Sequence, residues 1–335
     1  MKIALFSDIH IYKHLGYDIF PKTAFTFLEY FFDYCRKRHI KKIFFAGDLF
    51  HTKTKVDTIE FVKTKEIFSR NYQDFDIYMI VGNHDMPLQN TTEGSILFAL
   101  NDYAEVIKDY SYFDLSEVRY HFMSYRKEPV LPEFKYSDGK NVLIAHQDIV
   151  GFKMNDYRVS LEGVDLNAFK KFDIIFSGHY HMHQHKSNLV YIGSPFQINF
   201  GERGQKKGFI IFDDESFTWE LKEYKKAPKF KVITSNEIAK TNVNNYFVRI
   251  VANSNINSRE VTRELLSRGA LSVDVTYDIE EYAKELEFIE ELNKSNVKSL
   301  AKQYIENVSV PTEINKKKLL TIFDKINDLY LSIRG

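Results

Sequence analysis

The chain has 335 residues, of which 44% are hydrophobic and 27% charged, and its formal net charge is +0. This length predicts one large core with a smaller second domain, and the balanced charge excludes nucleic-acid binding driven by bulk positive charge. The one cysteine, Cys35, excludes an internal disulfide and favours a reducing compartment. We expect a cytoplasmic protein with no membrane partner, because the sequence has no signal peptide and no apolar run of transmembrane length.

The first half of the chain alternates short apolar runs with amphipathic stretches. Runs of the kind that form buried strands occupy 2–6, 42–46, 77–81 and 142–145. The apolar spacing between them predicts helices over 22–38 and 57–70, with Cys35 as a small buried hydrophobe on the first. This alternation predicts an α/β core with a largely parallel sheet, in which ligands gather at the carboxyl ends of the strands.

Beyond residue 186 the pattern changes to short strands and turns. Strands are predicted over 189–193, 208–212 and 217–224, and the segment 225–228 is typical of a linker. A first domain is therefore predicted to end near residue 225.

The remaining chain predicts a small β-α-β domain. Its strands are expected over 246–251 and 272–277, and the helix between them is expected to have Ser258 as its N-cap and to stop at Gly269. Two further helices are predicted over 280–297 and 313–333, the second with a one-sided apolar stripe. The sequence thus predicts three parts, which are 1–225, 229–278 and 279–335.

Polar clusters rich in Asp, Asn and His end the apolar runs of the first part. They are Asp8-Ile9-His10, Gly47-Asp48-Leu49-Phe50-His51, Gly82-Asn83-His84-Asp85, the single His146, and Gly178-His179-Tyr180-His181. Because the ends of parallel strands meet at one edge of a sheet, we expect these side chains to converge. Oxygen and nitrogen donors without a thiolate are typical of a pair of hard-to-borderline divalent cations.

Two such cations need a bridging carboxylate and further ligands that leave room for water and substrate. Asp48 suits the bridge, because it directly follows a strand and Gly47 allows a close approach. The other predicted ligands are Asp8, His10, Asn83, His146, His179 and His181. Each has an ordinary alternative, such as a turn residue or a buried structural histidine, but those alternatives must hold together at five strand ends.

Three neighbouring residues are candidates for catalytic roles. His84 is expected at the rim of the site as a general acid, because adjacent residues on a turn point apart and Asn83 already faces a metal. His51 is expected to hold the scissile phosphate or to support a metal ligand. Asp85 is expected to orient the His84 imidazole or to cap a following helix, and both alternatives stay open.

These motifs resemble those of the calcineurin-like metallophosphoesterase superfamily. Within it the chain is most similar to the SbcD branch, the nuclease subunits of a double-strand-break repair complex in bacteria and their phages. The branch's form of the second motif is matched by Gly47-Asp48-Leu49-Phe50-His51, and its Gly-Ser-Pro segment by Gly193-Ser194-Pro195, followed by Phe200-Gly201-Glu202. The family usually has Leu-Gly directly after the first metal histidine, whereas here Leu15-Gly16 follow only after Ile11-Tyr12-Lys13-His14.

The resemblance implies an α/β sandwich of two sheets flanked by helices, with a small capping domain and C-terminal helices. It implies that one metal is held by Asp8, His10, Asp48 and His181. It implies that the other is held by Asp48, Asn83, His146 and His179, with His84 as the catalytic histidine. Manganese is the metal that the family uses, and the donor set also permits magnesium, iron, zinc or cobalt.

The partners that the resemblance implies are DNA ends, double- or single-stranded, a coiled-coil ATPase of the SbcC type, and a second copy of the chain. Candidate phosphate contacts are Lys13, Lys53, Lys55, Lys153 and Arg158. The segments 57–70 and 92–104 are expected to form the dimer contact. The last helix is expected either to dock on the ATPase or to pack as an ordinary helix within the chain.

The sequence leaves three functions to be weighed. An ATPase-regulated DNA exonuclease and endonuclease is favoured. A small-molecule or cyclic-nucleotide phosphodiesterase on the same dimetal core would not need a capping domain or a partner helix. An inactive architectural protein that binds DNA ends is disfavoured, because the predicted ligands and His84 are all present.

Overall fold

Fifteen strands and four α-helices make up the described part of the chain. The computed structural model describes residues 1–88, 91–127, 131–155, 158–252, 256–277, 304–306, 308 and 315–334. The strands are β1 (Lys2–Phe6), β2 (Lys42–Phe45), β3 (Asp76–Ile80), β4 (Glu105–Ile107), β5 (Tyr110–Leu115), β6 (Val118–Met123), β7 (Lys140–His146), β8 (Ile174–Gly178), β9 (Gln184–Lys186), β10 (Leu189–Tyr191), β11 (Gly208–Asp213), β12 (Thr218–Glu223), β13 (Lys229–Thr234), β14 (Tyr246–Ala252) and β15 (Ser272–Tyr277). The helices are α1 (Ile19–Lys37), α2 (Thr58–Asn71), α3 (Ser258–Ser267) and α4 (Lys316–Arg334).

The strands form two six-stranded sheets and a third sheet of three strands. The order is β12-β11-β1-β2-β3-β4 in the first sheet and β5-β6-β7-β8-β10-β9 in the second. Strands β1 to β4 are parallel to one another, and so are β6, β7, β8 and β10, while the outer strands β5, β9, β11 and β12 pair antiparallel. The parallel strands of each sheet therefore deliver their carboxyl ends to one edge, as the apolar runs predicted.

Side chains that alternate along β1 separate two cores. Ile3 and Leu5 pack between the two sheets, whereas Ala4 and Phe6 face the helices α1 and α2. Aromatic side chains of α1 dominate that second core, and burying each one stabilises the fold by roughly 1.5–3 kcal/mol. The outer face of the second sheet is covered by loop segments and a short 3-10 helix at Leu166–Phe169. The predicted α/β sandwich of two sheets is thus confirmed, with α1 and α2 both on the first sheet.

The third sheet is parallel throughout, in the order β13-β14-β15, and α3 connects its last two strands. Phe230 and Phe247 of this sheet are buried in the same core as Phe20 of α1. The ring centroids of Phe247 lie 5.1 Å from Phe20 and 4.9 Å from Phe230. The small sheet is therefore packed onto α1 by a stack of aromatic rings.

Some predicted boundaries and elements were wrong. The N-cap of α3 is Asn257 instead of Ser258, because the Asn257 amide oxygen accepts the backbone N–H of Glu260 at 3.3 Å. The segment 92–104, which was expected to take part in the dimer contact, contains a 3-10 helix at Ile96–Leu100. The helix predicted over 280–297 lies outside the described residues. None of the helices in the described ranges is both long and apolar enough to cross a bilayer.

We expect Cys35 to be unreactive in the folded protein. Its side chain is fully buried in α1, and burial raises the pKa of its thiol to about 12, so the reactive thiolate is scarce at mildly alkaline pH. A disulfide reagent such as DTNB should therefore label no thiol in native protein and one per chain in denaturant. Labelling of native protein at the rate of a small free thiol would contradict this placement.

Candidate metal centre

The seven predicted ligands lie together at the carboxyl ends of β1, β2, β3, β7 and β8. Among the described residues, three sets of side chains have ligand atoms within 4.8 Å of one another. They are Asp8, His10 and His181; Asp8, Asp48 and His146; and His10, His51 and His84. The convergence expected from the strand-end pattern is present in the structure.

The backbone turns sharply at this edge. Asp8, His10, Asp48 and His179 have positive φ values of 52°, 48°, 62° and 94°, which residues with a Cβ rarely adopt. Such conformations cost on the order of 1–3 kcal/mol each and persist where the surroundings enforce them. Here the loops after β1 and β2 are joined by hydrogen bonds from Asp8 N to Gly47 O at 3.0 Å and from His10 N to Asp48 O at 3.2 Å.

One group of donors surrounds His10. Its Nε2 lies 2.9 Å from His181 Nε2, 3.5 Å from Asp48 Oδ2 and 4.0 Å from Asp8 Oδ1. Burial, and after it the neighbouring His181, lowers the pKa of His10 well below its ordinary value. A neutral imidazole of this kind has a lone pair to offer a cation.

A second group surrounds Asn83. Its Oδ1 lies 2.9 Å from both His146 Nε2 and His179 Nδ1, and His146 Nε2 is 3.4 Å from Asp48 Oδ2. His146 Nδ1 lies 2.7 Å from the carbonyl oxygen of Ala46, to which it can only donate. Nε2 is therefore the nitrogen of His146 that faces the two oxygens.

These contacts test whether two cations fit. In the first group two imidazole nitrogens lie 2.9 Å apart, and in the second an amide oxygen lies 2.9 Å from two imidazole nitrogens. Facing lone pairs at such distances are unfavourable unless a proton or a metal ion lies between them. Burial raises the pKa of Asp48, but His146 and His10 lower it far below the ordinary range, so this carboxylate is an anion. Asp48 is shared by both groups, as a bridging ligand must be. The donor set fits two divalent cations.

Glycines permit this packing. A Cβ at Gly47, whose φ is +88°, would lie 2.5 Å from His146 Nδ1 and 2.8 Å from Gly82 Cα. A Cβ at Gly82 would overlap the Asp48 carboxylate. The loops after β2 and β3 can approach each other only because both positions lack a side chain.

His84 lies at the rim of the site and is only partly buried. Its Nδ1 is 2.5 Å from the carbonyl oxygen of His51, and its ring is perpendicular to that of His10 at 4.7 Å between centroids. The backbone N–H of His84 donates to Asp48 Oδ1 at 2.8 Å. The imidazole therefore stands beside the ligands with Nδ1 occupied, which leaves Nε2 for proton transfer.

His51 contacts a predicted ligand. Its Nδ1 lies 3.4 Å from His10 Nδ1, and burial followed by the charges of neighbouring histidines lowers its pKa to about 4. A neutral His51 can accept the Nδ1 hydrogen of His10. The lone pair of His10 Nε2 is then available to a cation. Of the two expectations for His51, this contact supports the one in which it orients a ligand.

Asp85 differs from expectation. In the described residues between β3 and β4 there is no α-helix for it to cap. Its carboxylate accepts backbone N–H groups of Asp48 at 2.7 Å, Leu49 at 3.0 Å and Gly82 at 3.0 Å. It therefore joins the loops after β2 and β3 from beneath, instead of capping a helix or meeting the His84 ring. Adjacency in sequence suggested a link to His84, but the two side chains of this turn point apart.

Sequence reasoning missed two carboxylates behind the last histidine motif. Glu202 Oε1 lies 2.9 Å from His181 Nδ1, and Asp148 contacts His179 Nε2. Burial raises the pKa of Glu202, but Lys207 and His181 lower it to about 2. Asp148 follows His146 by two residues, a spacing that could have identified it, whereas nothing in the spacing of Glu202 pointed to His181.

The basic residues proposed as phosphate contacts are exposed. Lys13 forms an ion pair with Asp18 at 3.0 Å. All five predicted phosphate contacts are accessible to a ligand in solvent; they are Lys13, Lys53, Lys55, Lys153 and Arg158.

Comparisons with known proteins agree with this site. The family model for calcineurin-like phosphoesterases matches residues 1–183. The SbcD component of the nuclease SbcCD of Staphylococcus epidermidis is 26% identical over 252 residues, which are 64% of this chain and 67% of that protein. Exonuclease subunit 1 of Enterobacteria phage T4 is 23% identical over 193 residues, which are 55% of this chain and 56% of that protein.

Solved structures with similar folds include a novel archaeal phosphodiesterase, with 11% identity, a TM-score of 0.34, and coverage of 67% of this chain and 100% of that one. The phosphoesterase YfkN of Bacillus subtilis has 12% identity and a TM-score of 0.36, and the match covers 67% of this chain and 88% of that one. The family model covers more than half of the sequence, and its range includes the seven converging ligand candidates. The chain belongs to the calcineurin-like phosphoesterase family of dimetal hydrolases.

Proposed function

We propose that the chain is a manganese-dependent DNA nuclease, with exonuclease and endonuclease activity, that acts with an SbcC-type ATPase in DNA end processing, recombination and repair. The single observation that carries this is the pair of donor groups sharing Asp48, with His84 beside them at the rim. The two curated relatives named above support it, because both are named as nuclease or exonuclease subunits.

The residues divide between the two metals as follows. Asp8, His10, Asp48 and His181 would hold one ion, and Asp48, Asn83, His146 and His179 would hold the other. When bound, the ions would neutralise the phosphodiester charge and lower the pKa of water, so that hydroxide is available to attack phosphorus. His84 donates a proton from Nε2 to the leaving oxygen, while the carbonyl of His51 holds Nδ1 and so orients the ring.

DNA would reach the site over its exposed loops. Lysines and an arginine placed around the strand ends would contact phosphates, which supplies affinity without base specificity. Helix α2 exposes Ile59 and Val62, and α4 exposes Ile322, which makes these helices candidates for the contacts with a second copy and with the ATPase.

The test is cleavage of end-labelled double- and single-stranded DNA by purified protein with Mn²⁺, with and without the ATPase, beside bis-p-nitrophenyl phosphate. We expect DNA degradation by the wild type, stimulation by the ATPase, and none by Asp48→Ala. Turnover of the small ester with DNA intact, even with the ATPase present, would contradict the nuclease and favour a small-molecule phosphodiesterase.

A further inference from the structure

The two histidines of Gly178-His179-Tyr180-His181 are each held by a carboxylate, but at opposite ring nitrogens. His181 meets Glu202 through Nδ1, and its Nε2 lies 2.9 Å from His10 Nε2. His179 meets Asp148 through Nε2, and its Nδ1 lies 2.9 Å from Asn83 Oδ1. In both cases the nitrogen away from the carboxylate is the one that faces the other ligand candidates.

We propose that Glu202 and Asp148 are positioning residues that fix opposite tautomers of His181 and His179, so that each histidine presents one defined nitrogen to its own metal. This assignment depends on the dinuclear centre proposed above. It adds two residues that contact the ligand histidines His181 and His179.

The groups around Glu202 show that its carboxylate accepts a hydrogen bond from His181. Its carboxylate accepts from Ile198 N at 3.2 Å and from Asn199 Nδ2 at 3.2 Å, and Lys207 Nζ lies 3.0 Å from Oε2. Because donors surround this buried carboxylate, it stays an acceptor, and His181 Nδ1 must carry the hydrogen between them. The remaining nitrogen, Nε2, then carries the lone pair that faces His10.

Lys207 explains how a carboxylate can be buried here. Its Nζ also donates to the carbonyl oxygen of His181 at 2.7 Å and to Ser194 Oγ at 2.9 Å. A buried ion pair gives little net stability, because desolvation of both charges opposes their attraction. Lys207 instead neutralises the charge of Glu202. Glu202 holds the ring of His181 and Lys207 holds its backbone carbonyl.

Asp148 acts on His179 from the other side. Its second oxygen accepts the hydroxyl of Tyr125 at 3.2 Å, and the Tyr125 ring stacks on His179 at 5.9 Å between centroids with an interplanar angle of 21°. The Asp148 carboxylate therefore holds a hydrogen on Nε2 of His179, and Nδ1 of His179 keeps the lone pair that can bind a metal. Nδ1 is the ring nitrogen nearer the backbone, which suits a residue whose positive φ of 94° turns the chain toward the site.

The wrong tautomer at either position would aim an N–H bond at the cation. Partners of this kind, behind a metal-bound histidine, typically change metal affinity by about 10–100-fold when they are removed. The effect should be specific to one ion, because Glu202 contacts a histidine of the first donor group and Asp148 one of the second.

The test separates the acceptor from the buried charges. Glu202→Met/Lys207→Met removes the acceptor and both charges, while Glu202→Gln/Lys207→Met keeps an amide oxygen that can still accept from His181. Asp148→Ala is compared in the same way with Asp148→Asn. Thermal unfolding of the metal-free variants is measured first, and a cooperative transition shows that a variant is folded.

Two readouts do not depend on activity. Long-range proton–nitrogen NMR on metal-free, histidine-labelled protein at alkaline pH, where an imidazole is neutral, should show hydrogen on Nδ1 of His181 and on Nε2 of His179. Loss of the Glu202 acceptor should give a tautomer mixture at His181 alone. Titration with Mn²⁺ should show one of two sites weakened about 10–100-fold in each acceptor-free variant, with partial recovery in the amide variants.

Equal tautomers on the two wild-type histidines would overturn the assignment. So would unchanged Mn²⁺ affinity in folded, acceptor-free variants. If wild-type protein binds two Mn²⁺ and the variants weaken one site each, yet no DNA is cleaved, the positioning roles stand and the nuclease proposal fails. If all variants cleave DNA with unchanged Mn²⁺ affinity, the nuclease proposal stands and the positioning roles fail.

Discussion

Replacement of His84 by alanine is expected to lower DNA cleavage by about 10²–10⁴-fold while two metals remain bound. The ring supplies the proton for the leaving oxygen, whereas the contact of residue 84 with Asp48 is made by its backbone N–H and survives the change. Turnover at saturating DNA and metal content per chain are the measurements. The Nδ1 contact with the carbonyl of His51 predicts that the ring is oriented before substrate binds.

Substrates with different leaving groups can show whether His84 acts as a general acid or as a metal ligand. The p-nitrophenolate group departs without a proton, so His84→Ala should lose much less activity toward bis-p-nitrophenyl phosphate than toward DNA. His39→Asn, which changes an exposed histidine outside the strand-end clusters, serves as the control and should match the wild type. Equal losses on both substrates, or loss of a metal, would show that His84 acts in another way.

Replacement of Asp85 by alanine is expected to lower the free energy of unfolding of the metal-free protein by about 3 kcal/mol or more. The change leaves three buried N–H groups, those of Asp48, Leu49 and Gly82, without their acceptor. Each buried donor without a partner costs about 1–3 kcal/mol. Chemical denaturation in the presence of a chelator measures the effect without a contribution from bound metal.

An exposed aspartate that accepts a single backbone N–H provides the control. Asp165 is exposed and accepts one backbone N–H, that of Asn167, at 2.8 Å. Its replacement by alanine should cost only about 0.5–2 kcal/mol, as for an ordinary helix cap. Equal losses for the two variants would mean that water replaces the Asp85 carboxylate and that the loops after β2 and β3 do not depend on it.

The sequence was most informative where one side-chain pattern had one physical cause. Strands buried on both faces are continuous apolar runs, so β1, β2, β3 and β7 could be located within a residue or two. Because parallel strands end at one edge, the convergence of the polar clusters followed from their positions alone.

Other features could not be read from the sequence. Left-handed backbone is uncommon even for Asp and His, which adopt it more often than most residues, so the sequence alone did not assign it to Asp8 or Asp48. The hydrogen bonds between neighbouring loops impose it. Glu202 follows His181 by 21 residues on a short 3-10 helix, and only the folded chain brings them together. Asp85 was misjudged because chain order does not say which way a side chain points.

The aromatic stack between α1 and the small sheet has a consequence for how the chain unfolds. Phe20, Phe230 and Phe247 are almost completely buried, and each contributes to a core that also contains β1 and β2. Cleavage of the peptide chain after residue 225 would strip that core of two rings and leave Phe20 open to water. Because these rings share one core, we expect the small sheet and the first large sheet to melt in one transition.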